Sequence, residues 1–252
     1  MSWQRVRPIL VGAASLAVGV LLWWAVVRLA QVPSYVLPGP GAVVQTMVQQ
    51  FSSGGLGIQA EQTAAEIVQG GVIGAVIGIV LAMLFYRINW LRRLLMPLIV
   101  VIQVTPKISI APLIVLWVGL GIGSKITLVT LVVVYPVLVS VLARLASLPQ
   151  SVRDLARIVG MGPVRRAWKI EIPFALPALA AGLKLGALQA VTAAVIGEYI
   201  GSSAGLGFLE KQGQDNADMQ IVLLMLGLLA MLGWLLYALI GLVEHLLTRR
   251  LS

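Results

Sequence analysis

The chain has 252 residues, of which 60% are hydrophobic and only 11% are charged, and its mean hydropathy is +1.00. A soluble domain carries roughly a quarter charged residues, so this composition excludes a soluble globular protein and predicts a polytopic membrane protein. The chain has no cysteine and a single histidine, His245, which excludes disulfides, thiolate chemistry and a metal site built from His and Cys ligands.

The apolar segments predict an all-α fold with six transmembrane helices in one domain, residues 1–252. About 20 apolar residues cross about 30 Å of hydrocarbon as a helix. Segments of this kind lie near residues 9–30, 67–86, 94–118, 126–143, 174–200 and 219–243. The first could be mistaken for a signal peptide, but it exceeds the length of a signal core and no A-x-A site closes it, so we expect it to be retained.

Basic residues in the predicted loops give the orientation, because Lys and Arg stay on the cytoplasmic side. Six of the 18 basic residues lie between Arg144 and Lys169, and others flank the first, second and last spans on the same side. Both termini and the long loop 145–173 are therefore predicted to face the cytoplasm. This topology accounts for the net charge of +9 without a nucleic-acid partner.

The second span carries Gly70, Gly74 and Gly78, each four residues from the next. This spacing clears one helix face for close contact with another helix. Packing within the chain is the favoured interpretation, and a seam between two copies of the chain is the alternative.

The third span is irregular, and we expect it to be kinked or broken, because proline removes a backbone hydrogen bond. Three prolines interrupt it and three polar residues lie near its middle: Pro97, Pro106, Pro112, Gln103, Thr105 and Lys107. A charge at mid-membrane is costly and indicates a functional position, so Lys107 would face a cavity or an acidic partner. The alternative is that its side chain reaches an interface.

The fifth span adds Gln189 near its middle and Glu198 near its outer end. A pair between Lys107 and Glu198 is one possibility for balancing the two charges. Together with the polar residues of the third span, these are the candidates for a translocation pathway: Gln103, Thr105, Lys107, Gln189 and Glu198.

The long loop 145–173 reads as two short amphipathic helices. Ser151 followed by Asp154 fits a capping box, which predicts a helix that begins at Ser151 and ends at Gly160. Pro163 suits the first position of a second helix, and Pro173 and Pro177 are expected to end it and to start the next span. The loop would either bind anionic lipid through its basic residues or dock a soluble cytoplasmic partner.

The same loop resembles the cytoplasmic coupling motif of permease subunits in binding-protein-dependent ABC importers, which reads EAA, three residues, Gly, nine residues, I-x-L-P. The spacing is kept, with Asp for Glu, Leu for Ala and Ile for Leu as departures. The matching residues are Asp154, Leu155, Ala156, Gly160, Ile170, Ile172 and Pro173. Residues 104–125 and 194–209 are also similar to permeases of the nitrate, sulfonate, taurine and bicarbonate group.

The resemblance implies a type I importer permease in the bacterial inner membrane, working as a homodimer with two cytoplasmic ATPase subunits and an external substrate-binding protein. In that family the coupling helices sit in clefts of the ATPases, which carry the ATP and Mg. The chain itself contains no Gly-Lys pair and hence no P-loop. It is therefore not expected to be an enzyme or to bind a cofactor or metal.

Two other function classes are weaker. An ion-coupled secondary transporter would need carboxylates inside the membrane, and Glu198 is the one well inside an apolar segment, with Glu66 at an edge. A membrane enzyme would need a cluster of catalytic groups at one depth. The solute stays open: Lys107 suits an anion by charge, whereas Gln103 and Lys107, one helical turn apart, resemble permeases for thiamine-precursor pyrimidines or riboflavin.

Overall fold

The computed structural model describes residues 3–248, and the side chains of all of these except 3–10, 13 and 248. The described chain is helical throughout, with helices joined by short turns. The helices are α1 Trp3–Leu29, α2 Pro40–Ser52, α3 Gly55–Arg87, α4 Asn89–Val104, α5 Lys107–Val118, α6 Ile122–Ala146, α7 Gln150–Ile158, α8 Pro163–Arg166, α9 Ile172–Gly201, α10 Leu206–Asp215 and α11 Met219–Thr248.

Four helical stretches are long and apolar enough to cross a membrane: Gly55–Arg87, Ile122–Ala146, Pro163–Gly201 and Met219–Leu247. The pair α4 and α5 makes a fifth span if it is counted as one, although its two halves bend by 104°. In α1 the described apolar part, Ala14–Leu29, is shorter than a full span. The all-helical membrane fold is confirmed, and the sixth span stays a prediction.

The helices α3, α6 and α9 form the core of the bundle. Along α3, the three glycines spaced by four residues lie against α6, so close that a Cβ at Gly74 would stand 2.8 Å from the carbonyl oxygen of Thr130 and 2.9 Å from Cβ of Val133. Gly182 on α9 is equally close to the carbonyl oxygen of Pro136. The prediction that the α3 glycines serve packing within the chain is therefore confirmed.

The third span is broken, as its prolines predicted, but only one of them causes the break. Pro97 and Pro112 lie inside α4 and α5. The chain turns at Thr105, whose backbone is extended with φ −61° and ψ 132°, because the residue before a proline is biased away from helical geometry. Pro106 then precedes the first turn of α5.

Two details of loop 145–173 differ from the sequence prediction. The capping box is wrong: α7 begins at Gln150 after Pro149, and no side chain caps its start. Pro173 does not end the second helix either, since α8 continues through a π-helical turn, Ala167–Glu171, directly into α9. The wider π turn accommodates the ring of Pro173 at the start of α9, where a missing N–H costs least. The predicted helix end at Gly160 and start at Pro163 are confirmed.

Candidate functional site

A cavity of about 400 Å³ with a mixed polar and apolar lining lies between the broken pair and α9, near the middle of α9. Gln103 reaches it from α4, Lys107 from α5 and Gln189 from α9. The amide nitrogen of Gln103 is 3.5 Å from the amide oxygen of Gln189, a long and weak hydrogen bond. The break in the third span thus exposes polar groups to a cavity in an otherwise apolar layer.

Lys107 is half-buried at the start of α5, and its amine donates a hydrogen bond to the backbone carbonyl of Gln103. That carbonyl belongs to the last turn of α4, where helical carbonyls lack partners and carry partial negative charge. The ammonium group is therefore attracted to the end of α4. It also borders the cavity, which is the first of the two predicted alternatives, a cavity or an acidic partner; its functional role stays a prediction.

Thr105 is a neighbour of this cavity but not part of its lining. Its hydroxyl donates to the carbonyl oxygen of Val101 at 2.8 Å, which satisfies another carbonyl of the last turn of α4. The side chain therefore supports the break in the helix.

Glu198 lies elsewhere, at the end of the bundle opposite to the arginine-rich loop. One carboxylate oxygen accepts the Thr63 hydroxyl at 2.6 Å, and the other accepts the backbone N–H groups of Gly207 at 2.5 Å and Phe208 at 3.3 Å. The carboxylate thus caps the start of α10, where negative charge is favoured. The pair between Lys107 and Glu198 is not formed, because each side chain is engaged in a different layer.

Two buried charges next to Glu198 escaped the sequence analysis. Lys125 is 2% exposed and its amine donates to the carbonyl oxygen of Gly201 at 3.0 Å. Glu66 is fully buried, accepts from Gln62 at 3.2 Å, and its other oxygen has no hydrogen-bond partner among the described residues. Glu66 lies just before the apolar segment 67–86 and Lys125 just before the segment 126–143, so hydropathy alone does not predict that either side chain is buried.

A periodic signal for this polar cluster was present in the sequence. Gln59, Gln62, Thr63 and Glu66 recur at the spacing of one helix face, which predicts a polar stripe on α3. The stripe faces the turn after α9 and a second cavity of about 680 Å³, which Lys125 and Glu198 also border. Glu198 therefore belongs to this outer region, and its predicted place in a pathway stays a prediction.

At the arginine-rich end, α7 presents apolar side chains to the outside. Leu155 is 61% exposed and Ile158 is 82% exposed, whereas Ala156 is buried. Asp154 makes only a loose pair with Arg157, at 3.7 Å. The apolar face predicted for this helix exists, but most of it has nothing packed on it within the described chain.

Gly160 ends α7 in the left-handed region, with φ +68°. Its N–H donates to the carbonyl oxygen of Arg157 at 2.9 Å, and the next N–H, that of Met161, donates to Ala156 at 2.9 Å. These bonds close the last helical turn as in a Schellman motif. The glycine requirement therefore comes from the backbone angle, since a Cβ here would meet nothing within 4 Å.

The second half of the loop is anchored by a buried ion-pair network. Glu171 is 0% exposed; its carboxylate binds Arg87 of α3 at 2.9 Å and Arg166 of α8 at 2.8 Å. Arg87 also donates to the carbonyl oxygen of Pro163 at 3.1 Å. Glu171 was missed by the sequence analysis, although it is the sole acid between Asp154 and Glu198.

The motif residues that follow Arg166, namely Ile170, Ile172 and Pro173, are half-buried beside this network. The basic residues of α8 and the π turn divide into two kinds. Arg166 is used inside the chain, whereas Arg165 and Lys169 are exposed. The predicted coupling residues thus fall into two groups: α7 and its end expose Leu155 and Gly160, and the later residues lie beside the buried ion-pair network.

Comparison with known proteins agrees with this fold. Residues 74–252 match the family model of the binding-protein-dependent transport system inner membrane component. The chain is 38% identical to a probable ABC transporter permease protein of Haemophilus influenzae, over 91% of this chain and 90% of the relative. It is 32% identical to a riboflavin transport system permease protein of Chloroflexus aurantiacus, over 91% and 85%. The chain therefore belongs to the family of binding-protein-dependent ABC transporter permeases.

A solved structure supports the same fold. The methionine ABC transporter MetNI, in an inward-facing conformation, superimposes with a TM-score of 0.62 at 20% sequence identity, over 77% of this chain and 94% of that one. Other relatives carry names for formylaminopyrimidine, taurine and aliphatic sulfonate transport. The chain is thus a multi-pass membrane permease with a type I importer fold.

Proposed function

We propose that two copies of this chain form the translocation pathway of an ATP-driven importer, which takes a small solute from an extracytoplasmic binding protein. In this proposal residues 1–252 are one transmembrane domain in the inner membrane. The arginine-rich end and both termini face the cytoplasm, in keeping with the positive-inside rule. Two separate ATPase subunits bind loop 145–173 and carry the ATP and Mg.

The exposed face of α7 is the observation that carries the proposal. Leu155, Ile158 and Val159 are all exposed there, next to charged Arg153 and Arg157. Apolar side chains grouped within a polar rim mark a protein interaction site. The following helix, α8, is held against α3 by the buried Glu171 network. A protein bound to α7 would therefore be linked through α8 to the helix bundle.

The mid-bundle cavity is the proposed solute path. Gln103 and Gln189 present amide donors and acceptors, and the charge of Lys107 is partly offset by the end of α4. This lining favours a solute with hydrogen-bond donors and acceptors of its own, such as a flavin or aminopyrimidine ring, over a small inorganic anion. The family names for riboflavin and formylaminopyrimidine permeases support the same class.

The solute class can be tested on the partner binding protein. Titration calorimetry against riboflavin, aminopyrimidines, taurine, aliphatic sulfonates, nitrate and bicarbonate should give tight binding of a ring compound and weak binding of the anions. Tight binding of a sulfonate or of nitrate alone would contradict the solute class and leave the importer proposal standing.

The importer proposal is tested at Gly160, where two substitutions separate backbone strain from side-chain bulk. Gly160→Val places a β-branched residue at φ +68°, which costs about 1–2 kcal/mol. Gly160→Asn is the matched control, because Asn tolerates the left-handed region. In proteoliposomes that contain the permease with its ATPase, we expect ATP hydrolysis stimulated by the loaded binding protein to fall about tenfold in the Val variant.

The Asn variant should hydrolyse ATP like the parent, and both variants should insert and purify as the parent does. Unchanged stimulated hydrolysis in Gly160→Val would contradict a role of this turn in coupling. Absence of any ATPase that assembles with the chain would contradict the importer proposal itself.

A further inference from the structure

The helix α3 connects the two ends of the bundle as one uninterrupted rod. Its 33 residues contain no proline, and at 1.5 Å per residue they extend about 50 Å. The neighbouring spans are less regular: α4 and α5 bend by 104°, and α6 and α9 each contain an internal proline. A continuous helix without proline keeps its whole ladder of backbone hydrogen bonds, so it transmits a displacement with less bending than a helix that proline interrupts.

At the arginine-rich end, α3 is fastened to loop 145–173 by its last residue. Arg87 donates to the carbonyl oxygen of Pro163 at 3.1 Å and to Glu171 at 2.9 Å, so it holds both the start of α8 and the π turn. Arg166 binds the other carboxylate oxygen of Glu171 at 2.8 Å. Charge-assisted hydrogen bonds to a buried carboxylate are strong and directional. Movement of α8 therefore reaches α3 directly.

At the opposite end, α3 is fastened to the turn between α9 and α10. The Thr63 hydroxyl donates to Glu198 at 2.6 Å and accepts the backbone N–H of Leu206 at 2.8 Å. The Gln59 side-chain oxygen accepts the N–H of Gly205 at 2.5 Å. Thr63 is fully buried, so water cannot replace these bonds without cost.

Between its ends, α3 is locked to α6. A Cβ on Gly70, Gly74 or Gly78 would stand 2.6–2.9 Å from atoms of α6. Apart from Gly71, the residues that flank these glycines are larger, among them Ile73 and Ile77, so sliding along α6 by even one residue would place a side chain in a space that only glycine fits. The two helices therefore move together, and α3 cannot slip against its neighbour.

We propose that α3 carries movement of loop 145–173 to the turn 201–205 at the far end of the bundle, with Arg87 and Thr63 as positioning residues at its two ends. This inference rests on the proposed function, since an ATPase must supply the movement. Neither residue lines the mid-bundle cavity. Their role is to couple the loop to the outer turn, which opens or closes the far side of the pathway.

The absence of cysteine from the chain allows a direct test with a single introduced thiol. Ser203→Cys places it on the exposed tip of the outer turn. The permease with its ATPase subunits is reconstituted in proteoliposomes, and the rate of modification by a membrane-impermeant thiol reagent is measured without nucleotide and after trapping with ATP and vanadate. In this parent, we expect trapping to change the rate.

Two variants remove the contacts that fasten α3 at its two ends. Arg87→Gln removes the charge that binds Glu171, and Thr63→Val removes the hydroxyl at nearly constant volume. Each should abolish the effect of nucleotide on the thiol while ATP is still hydrolysed, which a purely structural residue would not do. Thr63→Ser keeps the hydroxyl and should restore the response. If Arg87→Gln fails to assemble, Thr63→Val decides by itself.

Matched controls lie at the same two ends on other helices. Arg93→Gln removes an exposed charge from α4 at the arginine-rich end, and Thr46→Val removes a bond from α2 to Gln220 at 2.8 Å. Both should keep the nucleotide response.

A response that survives in Arg87→Gln and Thr63→Val, or that is lost equally in the two controls, would overturn the assignment to α3. A parent whose thiol ignores nucleotide, although ATPase subunits are bound and active, would overturn it too and leave the proposed function intact. Failure of ATPase subunits to assemble with the parent would instead contradict the proposed function.

Discussion

The seam between α3 and α6 and the break between α4 and α5 are opposite solutions to packing a helix in a membrane. At the seam, glycines bring two backbones so close that no side chain fits between them. At the break, a single Thr105-Pro106 step bends the span by 104° and α4 has no fully buried residue. The seam fixes the position of α3 relative to α6, whereas the break exposes polar groups to a cavity.

Two lysines show the same difference. Lys125 is buried beside the seam and donates to a backbone carbonyl at 3.0 Å. Lys107 is only half-buried at the break, donates to a backbone carbonyl and borders the mid-bundle cavity, whereas the cavity that Lys125 borders lies at the end of the bundle opposite to the arginine-rich loop. The two side chains have the same chemistry, so only their surroundings distinguish a structural role for Lys125 from the proposed solute contact of Lys107.

The largest expected effect is on Lys125. Lys125→Met removes the buried ammonium donor to the carbonyl oxygen of Gly201, and a hydrogen bond made by a charged group contributes about 1.5–3 kcal/mol. Thermal unfolding of the purified permease in detergent should show a large loss of stability. Lys211→Met is the matched control, because Lys211 pairs with Asp215 on the surface at 2.7 Å and should cost at most about 0.5 kcal/mol. Equal losses in both variants would refute the structural role of Lys125.

A smaller loss is expected at the seam itself. Gly74→Leu pushes a side chain into the carbonyl of Thr130, and overpacking of this kind costs about 1–3 kcal/mol. Gly71→Leu is the control three residues away, where a Cβ would meet nothing within 4 Å. The unfolding temperature should drop in the first variant and stay near that of the parent in the second. A drop in both would mean that general crowding, not the seam, is responsible.

At the break the effect moves from stability to transport. Lys107→Ala removes one charged donor from the cavity, and a hydrogen bond to a charged group contributes about 1.5–3 kcal/mol, so uptake should change about tenfold or more. Assembly and unfolding temperature should stay close to those of the parent, as in the surface control Lys211→Ala. Loss of the assembled permease would instead show that Lys107 is structural.

The smallest effect belongs to Gln189. Its contact with Gln103 is 3.5 Å long, so Gln189→Leu should alter the free energy of unfolding by only about 0.5 kcal/mol. Uptake of a ring compound should fall relative to that of an anion, because the variant loses an amide that can hydrogen-bond to donors and acceptors of the ring. Gln49→Leu, on the exposed surface of α2, should leave the ratio of the two uptakes unchanged. An unchanged ratio in Gln189→Leu would remove Gln189 from the pathway.

Local patterns predicted the packing and the break well. The spacing of the α3 glycines and the prolines of the third span act on their own helices and nearest neighbours. The capping box failed because Pro149, one residue before Gln150, offered the helix an earlier start. Pro173 failed as a stop signal because a π turn opened the helix ahead of it.

The buried networks were harder to predict, because they join residues far apart in the sequence. Arg87 and Glu171 are 84 residues apart, and Thr63 and Glu198 are 135 apart. A hydropathy window places such residues at the edge of a predicted span. A count of basic residues in the loops uses them only to orient the chain across the membrane. Only the arrangement of the helices shows that Lys125 and Glu171 are buried and that Arg166 binds inside the chain rather than a lipid or a partner.

The central claim, that α7 docks an ATPase, is tested most directly by site-specific photo-crosslinking. A photoreactive residue in place of Ile158, which is 82% exposed, is irradiated in native membranes, with the same residue in place of Val44 on α2 as the control. We predict a covalent product between the Ile158 position and a P-loop ATPase, identified by peptide sequencing, and none from Val44. Products with lipid alone from the Ile158 position would contradict the account.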